Sequence, residues 1–489
     1  MAVRTMEDAV ATVNRLYERL IARRPDSIKF EDYYEGRQKL RFATKEWRNA
    51  HANRYAGFAD NWCRPVADAE GERLDITGVR LGRDYEDLAR TAWDWWRAAD
   101  MEAQSSQGLL STLITTRSHV LVWGDDEGPT ATWEHSSFCE VEVDPENRRR
   151  RTAGLKTWLE DDRECATLYT PEWVFKFQRR RQTDVVGRSQ FMILRRDAGV
   201  GGWEPRETAE TGDDRWPIAN PLGVVPLVEI PNRPLLMSEP VSEIAGVVSM
   251  QDAINLLWAY LFVAADYASM EARVVTGQGA PRIPVLDKDG KVVGSRTINI
   301  EDLRERRTLY LENPQAKIDA WAPAKLDPFL EVIREAVGHV ASQTRTPPTY
   351  LVSQVGLSNV NAEGLKASEI GLVRKVREFQ TTAAPQIREV FRLMALAAGD
   401  EAAAKVLRGG TVTWANPEIR SEAQLTDALQ KKASMGYPLE YLLELDGLDQ
   451  VDIDRVMSMR DTEAVDPQLI AAARGMEGDA NATGVGGDS

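Results

Sequence analysis

The chain has 489 residues, of which 43% are hydrophobic and 28% charged, the balance of a folded protein with room for two or three cores. Its formal net charge of −15 excludes a basic domain that grips nucleic acid through static phosphate contacts. Cys63, Cys139 and Cys165 have no CxxC spacing and His51, His119, His135 and His339 no ligand spacing, which excludes a disulfide framework and a thiolate metal cluster.

In chain order, Met6, Val10, Val13, Leu16, Tyr17 and Leu20 recur at helical spacing and predict an amphipathic helix over 6–21, stopped at Pro25. Tyr33-Tyr34-Glu35-Gly36 follows, and no apolar leader precedes the helix, which fits synthesis in a reducing cytoplasm. Further helices are expected over 47–66, 85–98 and 101–116, with a strand over 74–78. Trp93, Trp95 and Trp96 suit core anchoring.

From residue 120 the pattern is mostly β, with strands over 120–123, 138–143, 157–159, 166–169, 173–178 and 190–194. Asp125-Asp126-Glu127 reads as a turn. Glu140 and Glu142 share one strand face, with Asp144 just beyond. Paired carboxylates can do acid–base work, but a hairpin with solvated charges is the simpler reading. The arginine runs 148–151 and 179–181 are candidates for contact with nucleic acid or an acidic partner.

The stretch 241–394 organises the rest. Val241, Ile244, Val248, Ile254, Trp258, Leu261, Ala265 and Ala268 predict a helix that begins near Glu239 and Pro240. Its all-round apolar run, 256–265, is shorter than the roughly 20 residues that span a bilayer. After Gly277, Gly279, Pro281 and Pro284, apolar strands flank Asp287-Lys288-Asp289-Gly290-Lys291, a strong hairpin signal. A strand over 307–312 and a helix over 329–340 follow, and Pro347-Pro348 breaks the helix.

From Thr346 to Ala362 there is no charged side chain. Such a stretch is either a buried loop or a surface past which a polyanion slides, since lysine would bind phosphate and aspartate would repel it. Asn361 suits an N-cap, and Leu365, Ile370, Leu372, Val373, Val376 and Phe379 begin a long helix kinked at Pro385 and closed near Gly399-Asp400. A strand over 412–414 and helices over 422–435, 438–443 and 451–460 complete the ordered chain; Gly-, Asp- and Ala-rich residues 475–489 suit disorder. GxxxxGK[ST], HExxH and GxSxG are absent from the sequence.

Three stretches carry a family resemblance. They are Tyr33-Tyr34-Glu35-Gly36 with Asn61-Trp62-Cys63-Arg64-Pro65-Val66; Asn220-Pro221-Leu222-Gly223-Val224-Val225-Pro226-Leu227-Val228; and Pro347-Pro348-Thr349-Tyr350-Leu351 with Asn361-Ala362-Glu363-Gly364-Leu365-Lys366-Ala367. In this order they resemble the portal proteins of tailed bacteriophages of the siphophage type. The resemblance implies an α+β, mainly helical fold with wing, stem, clip and crown regions. Residues 1–239 would be wing, 240–270 a stem helix, 271–325 the clip, 326–343 a second stem helix and 344–361 the tunnel loop. Residues 362–420 would be the long kinked wing helix and a strand, 421–462 the crown, and 463–489 a largely disordered tail.

The resemblance further implies a non-enzymatic ring, usually of twelve subunits, in the virion at one capsid vertex, assembled in the host cytoplasm. Double-stranded DNA would pass through it. Terminase large subunit, head–tail adaptor, major capsid protein and scaffolding protein would be its partners, with no cofactor, metal or membrane. Tunnel-loop residues would be Thr349, Tyr350, Ser353, Gln354, Ser358, Asn359 and Asn361; Asp287, Lys288, Asp289 and Lys291 would meet the motor or adaptor. The residues alone leave open a minor capsid or scaffold protein without a channel, or a hydrolase using Glu140, Glu142 and Asp144.

Overall fold

The computed structural model describes residues 3, 5–40, 58–160, 163–180, 202–206, 217–269, 273–276, 282–297, 315, 317–320, 325–351, 362–418, 422–448 and 452–460. The chain forms two compact units. The larger is built from Met1–Lys39, Gly57–Gln251 and Val337–Ser489, the smaller chiefly from Asp252–Ala336. Of the helix expected over 47–66, residues 47–57 fall outside the described residues, 58–62 are not helical and the helix present begins at Cys63; the strands over 190–194 and 307–312, the cap at Asn361 and the tail from 463 also fall outside the described residues.

Helix α1 (Met6–Tyr34) opens on a capping box, with the Thr5 hydroxyl accepting from the Asp8 amide and the Asp8 carboxylate accepting from the Thr5 amide. Pro25 does not stop it, contrary to expectation. The side chains of Arg23 and Arg24 are tied to carbonyls of Ser136, Ser137 and Cys139, so tertiary bonds hold the helix across the missing donor. Helix α2 (Cys63–Gly71), strand β1 (Ile76–Arg80), α3 (Glu86–Ala98) and α4 (Met101–Thr115) follow.

The β-rich part runs β2 (Arg117–Asp125), β3 (Gly128–His135), β4 (Cys139–Val143), β5 (Arg151–Glu160), β6 (Arg163–Tyr169), β7 (Trp173–Arg180), β8 (Glu204–Pro205), β9 (Ile218–Ala219) and β10 (Leu227–Pro231). Its sheets have the orders β10-β2-β3 and β4-β5-β6-β7-β8, with β9 also on β7.

Helix α5 (Val248–Ser269) starts later than the periodicity predicts. Before it, Val241 exchanges hydrogen bonds with Asn232, and the Glu243 amide donates to the Leu113 carbonyl at 2.8 Å. The Val241 carbonyl, which a helix would have offered to the Ala245 amide, is taken by Asn232, and the Ala245 amide donates to the Ser242 carbonyl instead. By length and composition alone, Ala245–Asp266 could cross a membrane, but Gln251, Asp252 and Asn255 are buried in protein, as in a core helix.

Four short strands come next: β11 (Arg273–Thr276), β12 (Arg282–Leu286), β13 (Val292–Thr297) and β14 (Lys317–Ala320). In the smaller unit β11 pairs β14 and β12 pairs β13, both antiparallel. Helices α6 (Asp327–Thr344), α7 (Pro348–Leu351), α8 (Ala362–Ala397) and α9 (Glu401–Leu407) precede β15 (Thr411–Trp414), which pairs β1. The sequence reading missed α9, although Asp400 caps it by accepting from the Ala403 amide at 2.8 Å. Helices α10 (Glu422–Ser434), α11 (Leu439–Asp446) and one over 452–460 follow.

The main core of the larger unit forms on α8. Leu372, Val376, Phe379, Ala383, Ile387, Val390, Phe391 and Met394 are buried at helical spacing. They share a cluster with Trp93, Trp96, Leu109, Leu113, Val120, Val122 and Ile230. The rings of Phe391 and Trp96 stack at 4.9 Å, and Trp96 stacks on Trp93 at 6.1 Å. The tryptophans are thus core anchors, as expected.

Close approach of α4 to β3 depends on Gly108, where a β-carbon would meet Trp133 Nε1 at 2.1 Å. That indole is itself held, donating to Ser118 Oγ at 2.7 Å. Gly108→Ala is therefore expected to lose at least about 2 kcal/mol in urea unfolding, through overpacking. Unchanged stability would show that the two elements can part freely.

Candidate channel and docking segments

The four expected docking residues come together in one turn. The Asp287 amide donates to the Lys291 carbonyl at 2.8 Å and the Gly290 amide to the Asp287 carbonyl at 2.9 Å. Gly290 has φ +74, which its lack of a β-carbon permits. The Lys288 amide donates to Asp287 Oδ1 at 2.7 Å. Asp287, Lys288, Asp289 and Lys291 are all exposed, and so are Val285, Leu286, Val292 and Val293 on the strands behind them.

Of the expected tunnel-loop residues, Thr349 and Tyr350 lie in α7, while Ser353, Gln354, Ser358, Asn359 and Asn361 fall outside the described residues. Tyr350 is half-buried. It packs against the main core, and its hydroxyl accepts from Arg73 Nη2 at 2.8 Å. The same guanidinium reaches Glu369 at 3.3 Å and the Pro417 carbonyl at 3.0 Å. Sequence reasoning missed Arg73, which has no periodicity to mark it. One cation so ties the start of the uncharged stretch to α8 and to the chain after β15.

The acidic face on β4 is not solvated. Glu140 is buried and paired with Arg19 and Arg23, and Glu142 with Arg15. Burial pushes the Glu140 carboxyl up, against the pull of Arg23 and Arg19. Arg15, Arg19 and Arg23 fall at i, i+4 and i+8 of α1, so one helix face neutralises both acids. Asp144 sits in the β4–β5 turn, 3.7 Å from Arg150. Asp125 Oδ1 accepts from the amides of Glu127 and Gly128, the turn that was expected.

The arginine runs separate. Arg179 is buried between the rings of Tyr17 and Trp203, 4.3 and 4.2 Å from their centroids, with Glu164 at 2.6 Å. It has no surface to offer nucleic acid. Arg151 joins Glu389 on α8 at 2.5 Å and the Val225 carbonyl at 3.2 Å. Burial raises Glu389, but hydrogen bonds from Arg392 and the charge of Arg151 win and hold its carboxyl below the usual range. Arg148 and Arg149 are exposed.

Among the described residues, no group of three or more His, Cys, Asp or Glu side chains is placed to hold a metal ion. A deeply buried charge cluster centres on Lys375, with Glu70 and Glu243. Its signal in the sequence was a lysine on the apolar stripe of α8, between Leu372 and Phe379.

The described residues form an α+β protein: a larger unit with a long core helix and a β-rich part, and a smaller unit that carries an exposed hairpin. The sequence profile described as "Phage portal protein, SPP1 Gp6-like" matches residues 14–461, and the chain belongs to that family. The portal protein of Mycobacterium phage L5 is 25% identical over 385 residues, covering 75% of this chain and 71% of its own. That of Mycobacterium phage D29 is 25% identical over 382 residues, with the same coverage. A chain in the virion of a native gene transfer agent particle covers 78% of this chain and 88% of its own, at 12% identity and a TM-score of 0.42. A chain in the neck of an empty particle of that kind gives 13% and 0.42, with 78% of this chain and 89% of its own covered.

Arg73→Ala is expected to cost about 2–4 kcal/mol in urea unfolding, because it strips a buried cation from two side chains and a carbonyl. Arg73→Lys is expected to recover only part of this, since an ammonium lacks the planar fork. Full recovery by lysine would show that charge alone matters.

Proposed function

We propose that the chain is the subunit of a ring, of about twelve copies by family resemblance, at one vertex of a phage capsid. DNA enters and leaves through the ring's channel. The uncharged stretch from Thr346 to Ala362 supplies the channel surface through Ser353, Gln354, Ser358, Asn359 and Asn361, with Tyr350 as its anchor. The hairpin turn Asp287–Lys291 meets the terminase motor and later the head–tail adaptor. Capsid and scaffolding proteins contact the outer parts of the larger unit.

The hairpin is the observation that carries this reading. A two-stranded ribbon is marginal in water. Here β12 and β13 expose Val285, Leu286, Val292 and Val293, and they pair only with each other among the described residues. Copies side by side in a ring would cover these side chains and both open strand edges. The absence of charge from 346 to 362 adds a surface that neither captures nor repels phosphate.

Negative-stain microscopy with mass measurement tests the ring. Closed rings with an open centre are expected; a monomer or dimer at every salt and concentration would overturn the proposal. Replacing 287–293 by a short linker should abolish rings, and rings that survive would remove the hairpin from assembly. Gln354→Lys should lower the nuclease-protected DNA per particle severalfold while particle number holds. Equal DNA content would take Gln354 off the channel wall.

A further inference from the structure

The corner that leaves α6 is more tightly built than a surface loop. Thr344 and Thr346 are buried, and Arg345 between them has φ +55, a region costly for a residue with a β-carbon. Thr344 Oγ1 lies 2.8 Å from both the Val340 carbonyl and the Thr346 hydroxyl. The corner sits on a face of α8 formed by Gly371 and Lys375, one turn apart. A β-carbon on Gly371 would meet Arg345 Cβ at 3.3 Å. Lys375 Nζ donates to the Thr344 carbonyl at 3.0 Å and to Glu243 at 2.7 Å, and lies 3.3 Å from Glu70. Two of the three ammonium protons thus have acceptors, while Glu70 Oε2 is buried beside the ammonium without a hydrogen-bond partner.

The cluster is closed on its other side by Arg233, 2.9 Å from Glu243. Arg233 also has a positive φ, +44. Lys375, Glu70 and Glu243 are each almost wholly removed from solvent, so two acids compete for one ammonium in a dry site. Among the described residues, the other contacts of α2 engage its neighbours rather than Glu70: Tyr34 of α1 bonds Asp68, Tyr350 and Glu369 bond Arg73, and α4 brings Leu110 and Leu113 to Gly71.

We propose that Lys375 is the pin of a latch that holds the Thr344–Thr346 corner on the long helix, and that the proton on Glu70 decides how firmly the pin holds. With Glu70 neutral, the ammonium serves Glu243 and the Thr344 carbonyl. With Glu70 ionised, a second carboxylate draws the ammonium away from the carbonyl. Burial, reinforced by Glu243, raises Glu70 to about 7 against Lys375 and Arg233. The folded value lies above the unfolded one, so the folded chain holds the extra proton. This stabilising contribution is full below the unfolded value and is lost as pH rises through about 7. The latch belongs to one subunit and does not depend on ring formation.

Hydrogen exchange of the full chain, read on peptides over 344–351 and corrected for intrinsic rates, tests the latch. Wild-type protection of the Arg345, Thr346 and Tyr350 amides should fall as pH rises from about 6 to about 8. Glu70→Gln should keep that protection high and flat. Lys375→Met should lose roughly tenfold or more at every pH, with α3 and α4 unchanged. A wild-type pH response in Glu70→Gln, or wild-type protection in Lys375→Met, overturns the proposal. Should Lys375→Met fail to fold, Gly371→Ala keeps every charge and crowds the corner directly. It should expose the same amides at every pH, and unchanged protection would likewise overturn the latch.

Discussion

The larger unit depends on one buried surface, the apolar stripe of α8. It meets α3, α4, β2 and β10 through a single cluster in which Phe391 stacks on Trp96. Residues distant in the chain are neighbours only because this helix passes between them. Pro385 lies on the exposed side of the helix, and Ala383 and Ile387 before and after it are wholly buried, so packing rather than an unbroken backbone ladder keeps the helix in place. The same logic applies to Pro25 in α1, where Arg23 and Arg24 supply the grip.

Polar chemistry is directed inward onto this frame. Arg15, Arg19 and Arg23 fasten α1 to β4; Arg151 fastens β5 to α8; Arg73 fastens α7 to α8. Arg179 fastens α1 to β6 and β7 through Tyr17 and Glu164. A guanidinium suits these joints because it stacks on rings and forks onto carboxylates while remaining charged. Of the acids that looked reactive in the sequence, Glu140 and Glu142 are the other halves of these joints. Membership of the portal family, whose proteins are structural, agrees with that use.

Much of the fold was legible. Period-2 alternation marked β4 to β7, the Asp-Gly pair marked the β12–β13 turn, and the stripe on α8 marked the main core. Errors arose where long-range contacts overrode local signals. The apolar residues 241–247 looked helical, but Asn232 claims the Val241 carbonyl that a helix would need there. The site was less legible. Lack of charge marks the stretch from Thr346, yet neither the hold of Arg73 on Tyr350 nor the competition at Lys375 leaves a periodic trace. These are meetings of single residues from four parts of the chain, which only the fold brings together.

Inward-facing arginines also change what the chain presents to its surroundings. Each joint pairs a cation with an acid, so the formal net charge of −15 is carried by the rest of the chain and the field outside is that of a strongly anionic body. Two copies approaching each other meet repulsion first, reaching about 10 Å in 0.1 M salt. Exposed apolar surface such as Val292 and Val293 attracts only at short range, inside that distance. Ionic strength, by collapsing the diffuse counter-ion layer, becomes the variable that sets how fast copies can find one another.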